Sequence, residues 1–430
     1  MRRHFGFLRL FSSAVTMQAL LSAANFATGL IFIRLTSDVE YGSFVLVNNA
    51  LVLLSALQGA FILPFTVMRV MRADKDERAQ LIGGMRSQQL RALVPISVAG
   101  VIVTGLLWAF HVIDDHAGLL VMAAVLACAA TLYREFYRVV LLSFKRPNDV
   151  LRSDAVYVVL LVAGALIATL FARPAVVAVA CLFGTALVGQ LLLSRSLWKF
   201  EPWSTSNHPP MWRDVARLGA WSGMGAAVHW SFSQGYNYLV AGTLDVTAVA
   251  ALSATRLFMM PVSLLSSGIG TIMFPTASSW LHAHGAATVM RRVTLFALGL
   301  VAAALCYLFV MWVLRDWIFV HILRKSMPQR DLLLTLWSVV VLLIVLRDQL
   351  GWLLAARGRF RMLTMMTVIS AVLSLTVSYF SMLKVGVPGA LIGVITGELV
   401  NVLGVIVLSI RELRIARIDA AAALAASQPS

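Results

Sequence analysis

Charge is scarce in this chain, and acid is scarcer than base. Asp, Glu, Lys and Arg make up only 13% of the 430 residues, with 19 acidic side chains against 35 basic ones. A soluble globular domain carries about 25% charged residues, so there is too little charge here to coat a water-exposed surface. Cysteine is nearly missing as well. Cys128, Cys181 and Cys306 all fall inside apolar runs, which excludes a disulfide framework and leaves no metal-ligand spacing. Neither a Walker A sequence nor a Gly-x-Ser-x-Gly elbow is present, so nucleotide hydrolysis and elbow-type acyl chemistry are excluded. No connection between apolar runs is long enough to fold by itself. The longest on one side, about Asp316 to Arg330, is too short for the external catalytic domain of a membrane glycosyltransferase, polymerase or ligase.

What the chain has instead is hydrocarbon. Hydrophobic residues make up 60% of it. They gather into twelve runs of about 20 residues, the length needed to cross a bilayer. The runs read as 11–33, 44–68, 88–110, 117–137, 153–172, 175–196, 216–240, 247–276, 293–314, 331–356, 362–383 and 387–410. Basic residues then set the orientation. The N-terminus and alternate connections, from Arg69–Arg91 and Arg134–Arg152 to Arg411–Arg417, hold 27 of the 35. Arg347 is assigned to that set, and Arg256 falls within a span. By the positive-inside rule both termini face the cytoplasm, although the connection holding Arg324 and Lys325 runs against the trend. The net charge of +16 is therefore read as topology and contact with anionic lipid headgroups rather than as a nucleic-acid surface. The basic start followed by a long first run is read as an uncleaved span.

The expected fold is an all-α polytopic membrane protein, with about twelve helices in two six-helix lobes around a central cavity. The polar stretch Lys199 to Arg213, with Pro202, Pro209 and Pro210, divides the spans six and six. This gives an N-terminal lobe at 1–205, a C-terminal lobe at 206–418 and a flexible Ala- and Ser-rich tail at 419–430. Six spans per half make a parallel repeat. A weak echo agrees: Ser37-Asp38-Val39 opens span two and Leu244-Asp245-Val246 opens span eight, each Asp placed to cap a helix.

Polar residues inside spans concentrate on the first two helices of each half. Gln18, Ser22, Asn25 and Thr28 share a face of span one, and Asn48, Ser55 and Gln58 a face of span two. In span seven His229, Ser233 and Tyr236 form one stripe beside Trp230, Gln234 and Asn237. In span eight Ser253, Arg256, Met260, Ser263 and Ser267 line up. Such stripes avoid lipid, and they line a lumen or glue helices together. Arg256 is the strongest single residue, because a cation in a span costs about 2.5–3.5 kcal/mol on insertion scales and guanidinium suits phosphate. Arg34 closes span one. Glu398, one turn from Asn401 in span twelve, reads either as a lone carboxyl able to carry a coupling proton or as a neutral structural one bonded to a neighbouring helix. His229 and Asp154, which opens span five beside Tyr157, are the other coupling candidates.

These residues resemble the multidrug/oligosaccharidyl-lipid/polysaccharide exporter superfamily. Arg34-Leu35-Thr36, Asp38 and Tyr41-Gly42-Ser43-Phe44 are similar to the end of the first helix in its polysaccharide transport branch. Arg134-Glu135-Phe136-Tyr137-Arg138, Lys145-Arg146-Pro147 and Asp154-Ala155-Val156-Tyr157 resemble the join between its fourth and fifth helices. Ala251 to Pro261 and then Pro275-Thr276-Ala277 resemble its eighth helix. The resemblance implies a Wzx-like flippase in a bacterial inner membrane, with no enzymatic activity and no cofactor. Such a protein moves a polyprenyl-pyrophosphate-linked oligosaccharide between leaflets, driven by substrate supply or by H+ or Na+. Its implied partners are the lipid-linked substrate, membrane lipids and other glycan assembly proteins. Arg34 and Arg256 would meet the pyrophosphate. Asn25, Gln58, Gln234, Tyr236 and Asn237 would bond sugar hydroxyls, and Trp230 would stack on a sugar face. The rivals are a multidrug exporter of the same superfamily, the fourteen-span peptidoglycan-precursor flippase and a non-transporting scaffold of a glycan assembly complex.

Overall fold

The computed structural model describes residues 2–204, 211–325 and 329–426. The side chains of Gln18, Ser267 and Pro275 lie outside the described residues, as do Pro209, Pro210 and the last four residues of the expected tail. Among the described residues every regular element is helical. In order they are α1 Arg2–Leu35, α2 Asp38–Met68, α3 Lys75–Ala109, α4 Asp115–Ser143, α5 Pro147–Ala168 and α6 Pro174–Phe200. Then come α7 Trp212–Thr243, α8 Val246–Leu257, α9 Met260–Trp317, α10 Arg330–Leu350, α11 Trp352–Ala356, α12 Phe360–Val385 and α13 Val387–Ala426. Helix α13 thus runs into the stretch expected to be a tail.

Nine of the described helices are long and apolar enough to cross a membrane, and the bent pair formed by α8 and the start of α9 makes a tenth. The chain is a multi-pass membrane protein. Two of the twelve expected spans fall short of that test. In α1 the apolar stretch among the described residues is Ala19–Leu35, and α7 does not qualify. Both are first helices of their halves, and α7 carries the polar stripes of His229 to Asn237.

Span eight is broken rather than continuous. Pro261 has no N–H to offer the carbonyl of Leu257, so α8 ends at Leu257 and α9 starts at Met260 with a 57° bend between them. The stripe expected from Ser253 through Met260 to Ser267 therefore does not run along one straight face. The break leaves Phe258 O free of its helical donor, and the Tyr307 hydroxyl donates to it at 2.8 Å. A second interruption lies at Gly285, whose φ of 75° only glycine takes easily, and the next span begins there, at Ala283–Leu323.

The helix starts echo one another with a shift. Asp245 caps α8 as expected, accepting from Ala248 N at 2.7 Å and from the Thr247 hydroxyl at 2.6 Å. The Thr247 hydroxyl first, then the Ala248 amide, hold the exposed Asp245 carboxyl below the usual carboxylate range. In α2 the cap is Ser37, which accepts from Glu40 N, and Asp38 is already the first helical residue. Glu40 instead caps a neighbour, accepting from Ala175 N at 2.6 Å in the first turn of α6.

The chain divides into two compact units, Met1–Ala227 and Val228–Ser430. In the first, α4 packs on α2, α3 and α6, and α5 packs on α1 and α6. Its core includes Phe65, Ile82, Phe136 and Tyr137. The first half of α7 closes on α2 through Gly219 and Gly223, where any added Cβ would meet Phe61 at 2.5–2.6 Å. In the second unit α13 packs on α10 and α12. The α12–α13 contact is tight because Gly393 and Gly397 lie against Ser378 and Ser374.

Candidate functional site

Four of the residues predicted from sequence meet in the second unit. Helix α7 presents Gln234, Tyr236 and Asn237, and α8 presents Arg256 from its last turn. Arg256 Nη1 donates to Gln234 Oε1 at 2.6 Å and to the Tyr236 hydroxyl at 3.2 Å. Asn237 Nδ2 donates to the same Gln234 oxygen at 3.2 Å. Tyr236 and Asn237 are each 1% exposed, whereas Arg256 is half-buried. Asn237 Oδ1 has no hydrogen-bond partner among the described residues.

Trp337 of α10 completes the group, with its ring 5.5 Å from the Arg256 guanidinium and 6.0 Å from Tyr236. Its indole N–H is fixed by Leu252 O at 3.2 Å. Trp337 was not singled out from sequence. A lone indole in an apolar span needs a partner for its N–H, and that was the available signal. Every partner of Arg256 in this arrangement is neutral. An amide oxygen, a phenol and a π face orient a guanidinium without cancelling its charge, which leaves it able to attract an anion.

The remaining candidates lie elsewhere. Trp230 is half-buried, with its ring 5.6 Å from Tyr238. In the first unit Asn25 and Arg34 are exposed on α1. Gln58 Nε2 donates to Leu132 O at 2.9 Å and Gln89 Oε1 at 3.2 Å, tying α2 to α4 and α3, while its Oε1 has no hydrogen-bond partner among the described residues.

Two coupling candidates, Glu398 and Asp154, sit in ion pairs. Glu398 is not a lone carboxyl. Arg347 Nη1 reaches both of its oxygens at 2.8 Å, joining α10 to α13, while Arg347 Nη2 holds Asp348 at 2.8 Å. Arg347 thus lies in the last turn of α10, near the inner end of span ten, and pairs with another helix. His229 is exposed on α7, within electrostatic reach of Arg347 and Asp348. Asp154 is 0% exposed and accepts from both Arg134 and Arg138. Glu135 pairs with the same two arginines, at 2.7 and 3.3 Å. The Arg134 guanidinium lies 3.8 Å over the Tyr157 ring. The sequence reading assigned Arg134 and Arg138 to a cytoplasmic connection, but α4 extends to Ser143 and buries Arg134.

With this geometry in place, comparison with solved structures identifies the fold. An inward-facing structure of a multidrug resistance MATE family transporter of the MOP superfamily matches with a TM-score of 0.75 and 13% identity, over 92% of this chain and 94% of that one. A MATE structure in the straight conformation matches with a TM-score of 0.65 and 14% identity, over 96% of each chain. An outward-facing MATE family structure matches with a TM-score of 0.63 and 14% identity, again over 96% of each. No family model matches the chain, and no curated protein does. The fold expected from sequence, all-α and MATE-like, is the fold observed.

Proposed function

We propose that the protein is a transporter that flips a polyprenyl-pyrophosphate-linked oligosaccharide across a bacterial inner membrane for surface polysaccharide assembly. The observation that carries this reading is Arg256, a cation on a broken span whose hydrogen bonds among the described residues go to Gln234 and Tyr236. A pyrophosphate-sugar headgroup cannot cross hydrocarbon alone, because it would leave its water behind. In this reading Arg256 takes the pyrophosphate. Gln234 and Asn237 replace water on the sugar, and the open acceptor of Asn237 takes a hydroxyl. Trp230 offers a face for a sugar ring. Arg347 is shared by Asp348 and Glu398, so one carboxylate exceeds its guanidinium partner, and that surplus makes Glu398 the coupling candidate over the balanced Asp154. The basic loops put both termini in the cytoplasm, with lobes at 1–205 and 206–418.

A second reading rests on the fold neighbours, two of which are described as multidrug resistance transporters. An exporter of cationic drugs would draw on the acidic pair Asp348 and Glu398 rather than on Arg256.

The test is a strain lacking the gene, assayed for surface glycan and for lipid-linked oligosaccharides extracted from the membrane. The expected result is lost surface glycan with repeat units trapped in the inner leaflet, rescued by the wild-type chain and not by Arg256→Glu at equal protein level. Intact glycan with raised drug sensitivity selects the exporter.

A further inference from the structure

An open groove of about 540 Å³ lies between α3, α4 and α6 of the first unit. Leu90, Val98 and Ile102 of α3, Leu126 of α4 and Leu187 of α6 line it. Apart from Ser97, Gln190 and the Tyr133 hydroxyl, the lining is hydrocarbon. From Leu90 to Ile102 the groove follows α3 for about 18 Å at 1.5 Å per residue. It is open along one side, so a lipid chain can lie lengthwise in it.

Its polar end is single and cationic. Leu90, Tyr133 and Gln190 are the lining residues nearest the basic-loop ends of α3, α4 and α6. The Tyr137 hydroxyl donates to the Tyr133 hydroxyl at 3.0 Å, and Arg86 Nε donates to the Tyr137 hydroxyl at 3.2 Å. Arg86 stacks 5.4 Å over Trp203, and its electrostatic neighbours are the phenols of Tyr133 and Tyr137. Among the described residues, a half-buried guanidinium with neutral partners therefore lies one turn of α3 before Leu90, at the end of the apolar groove.

We propose that this groove is a capture site for the lipid carrier, holding one polyprenyl chain between α3, α4 and α6 with its phosphate at Arg86. The choice of a polyprenyl lipid rests on the flippase reading, whereas the groove and its cationic end do not. The site differs from the Arg256 group in its residues and in its role: it recognises the carrier and not the glycan.

The test uses the purified full chain in phosphatidylcholine nanodiscs, with a photoactivatable polyprenyl monophosphate that carries no sugar. Labelling is expected on the peptide spanning 90–102, and unlabelled polyprenyl phosphate should compete where phosphatidylglycerol does not. Val98 is 53% exposed, so Val98→Trp fills the groove without disturbing the core. It should lower labelling about tenfold, as should Leu187→Trp from the α6 side. Arg86→Gln should lower phosphate-lipid labelling about tenfold and leave labelling by neutral polyprenol unchanged. Labelling elsewhere, equal competition by phosphatidylglycerol, or indifference to both tryptophan variants overturns the proposal. Because no sugar is moved, groove labelling in a protein whose deletion traps no glycan would sink the flippase reading and keep the site. Trapped glycan without groove labelling would do the reverse.

Discussion

Each unit of the molecule holds arginines within its spans, and two of them, Arg134 and Arg256, are kept in opposite ways. In the first unit Arg134 lies over Tyr157 and is bonded to Asp154 and Glu135, with Arg138 closing the set. Two guanidiniums meet two carboxylates, and the charge cancels. In the second unit Arg256 also faces an aromatic ring, that of Trp337, but its bonds go to an amide and a phenol. Its charge is oriented and left uncancelled. Finding an arginine in a span therefore says little by itself. The partners decide whether it fastens helices together or waits for an anion.

The sharpest way to break the comparison is to remove a carboxylate from the first unit. Asp154 is fully buried and serves two guanidiniums, so Asp154→Ala leaves Arg134 and Arg138 sharing Glu135 alone. Breaking a buried pair by deleting one partner costs about 3–5 kcal/mol. The expected result is a collapse of monodisperse yield and of thermal stability in detergent. A variant that purifies like wild type would mean that Arg134 is solvated and that the two arginines are alike.

A smaller effect is expected at Gly189. A Cβ there would come within 2.8 Å of Arg134 Nε and 2.9 Å of its Cδ. That side chain cannot swing away without losing Asp154, so Gly189→Ala forces α6 from α4 or strains the pair. Overpacking of this kind costs about 1–3 kcal/mol. A lower melting temperature, measured by fluorescence-detected chromatography after heating, checks it. Gly225, with nothing within 4 Å of an added Cβ, is the matched control that should tolerate alanine in space.

How much of this could be read from the chain follows from how local each signal is. Lipid imposes a length on every span, so runs such as 362–383 and 387–410 translate directly into α12 and α13. Helical periodicity brought Gln234 and Asn237 onto a common face, and the structure closes Arg256 onto that face. Pro261 marked the break in span eight, although the sequence reading carried the stripe through it. Pairs between distant helices left no local trace. Gln58 finds its acceptor on Leu132, and Glu398 finds Arg347 on α10, 51 positions earlier. Asp154 was weighed as a proton carrier because Arg134 was taken for a loop cation. The composition does hint otherwise: Arg134 and Arg138 are one turn apart with Glu135 between them, and acid is too rare in this chain for Asp154 to be casual.

The smallest effect is expected at Arg256, and its smallness is what separates the two arginines. Arg256→Met removes no counter-ion, because none among the described residues is bonded to it. Gln234 Oε1 keeps the Asn237 amide as donor, and the Tyr236 ring keeps Trp337. The loss is one or two charge-assisted bonds from a half-buried group, offset by an easier insertion of α8 without a cation. A net change below about 1 kcal/mol is expected, with yield and melting temperature near those of wild type. The same protein should fail to restore surface glycan, since the anion has lost its guanidinium. A large drop in stability would place Arg256 with Arg134 as a structural fastening. Full rescue by a stable Arg256→Met would remove the charge from the transport reading and leave the neighbouring amides as the only sugar contacts to test.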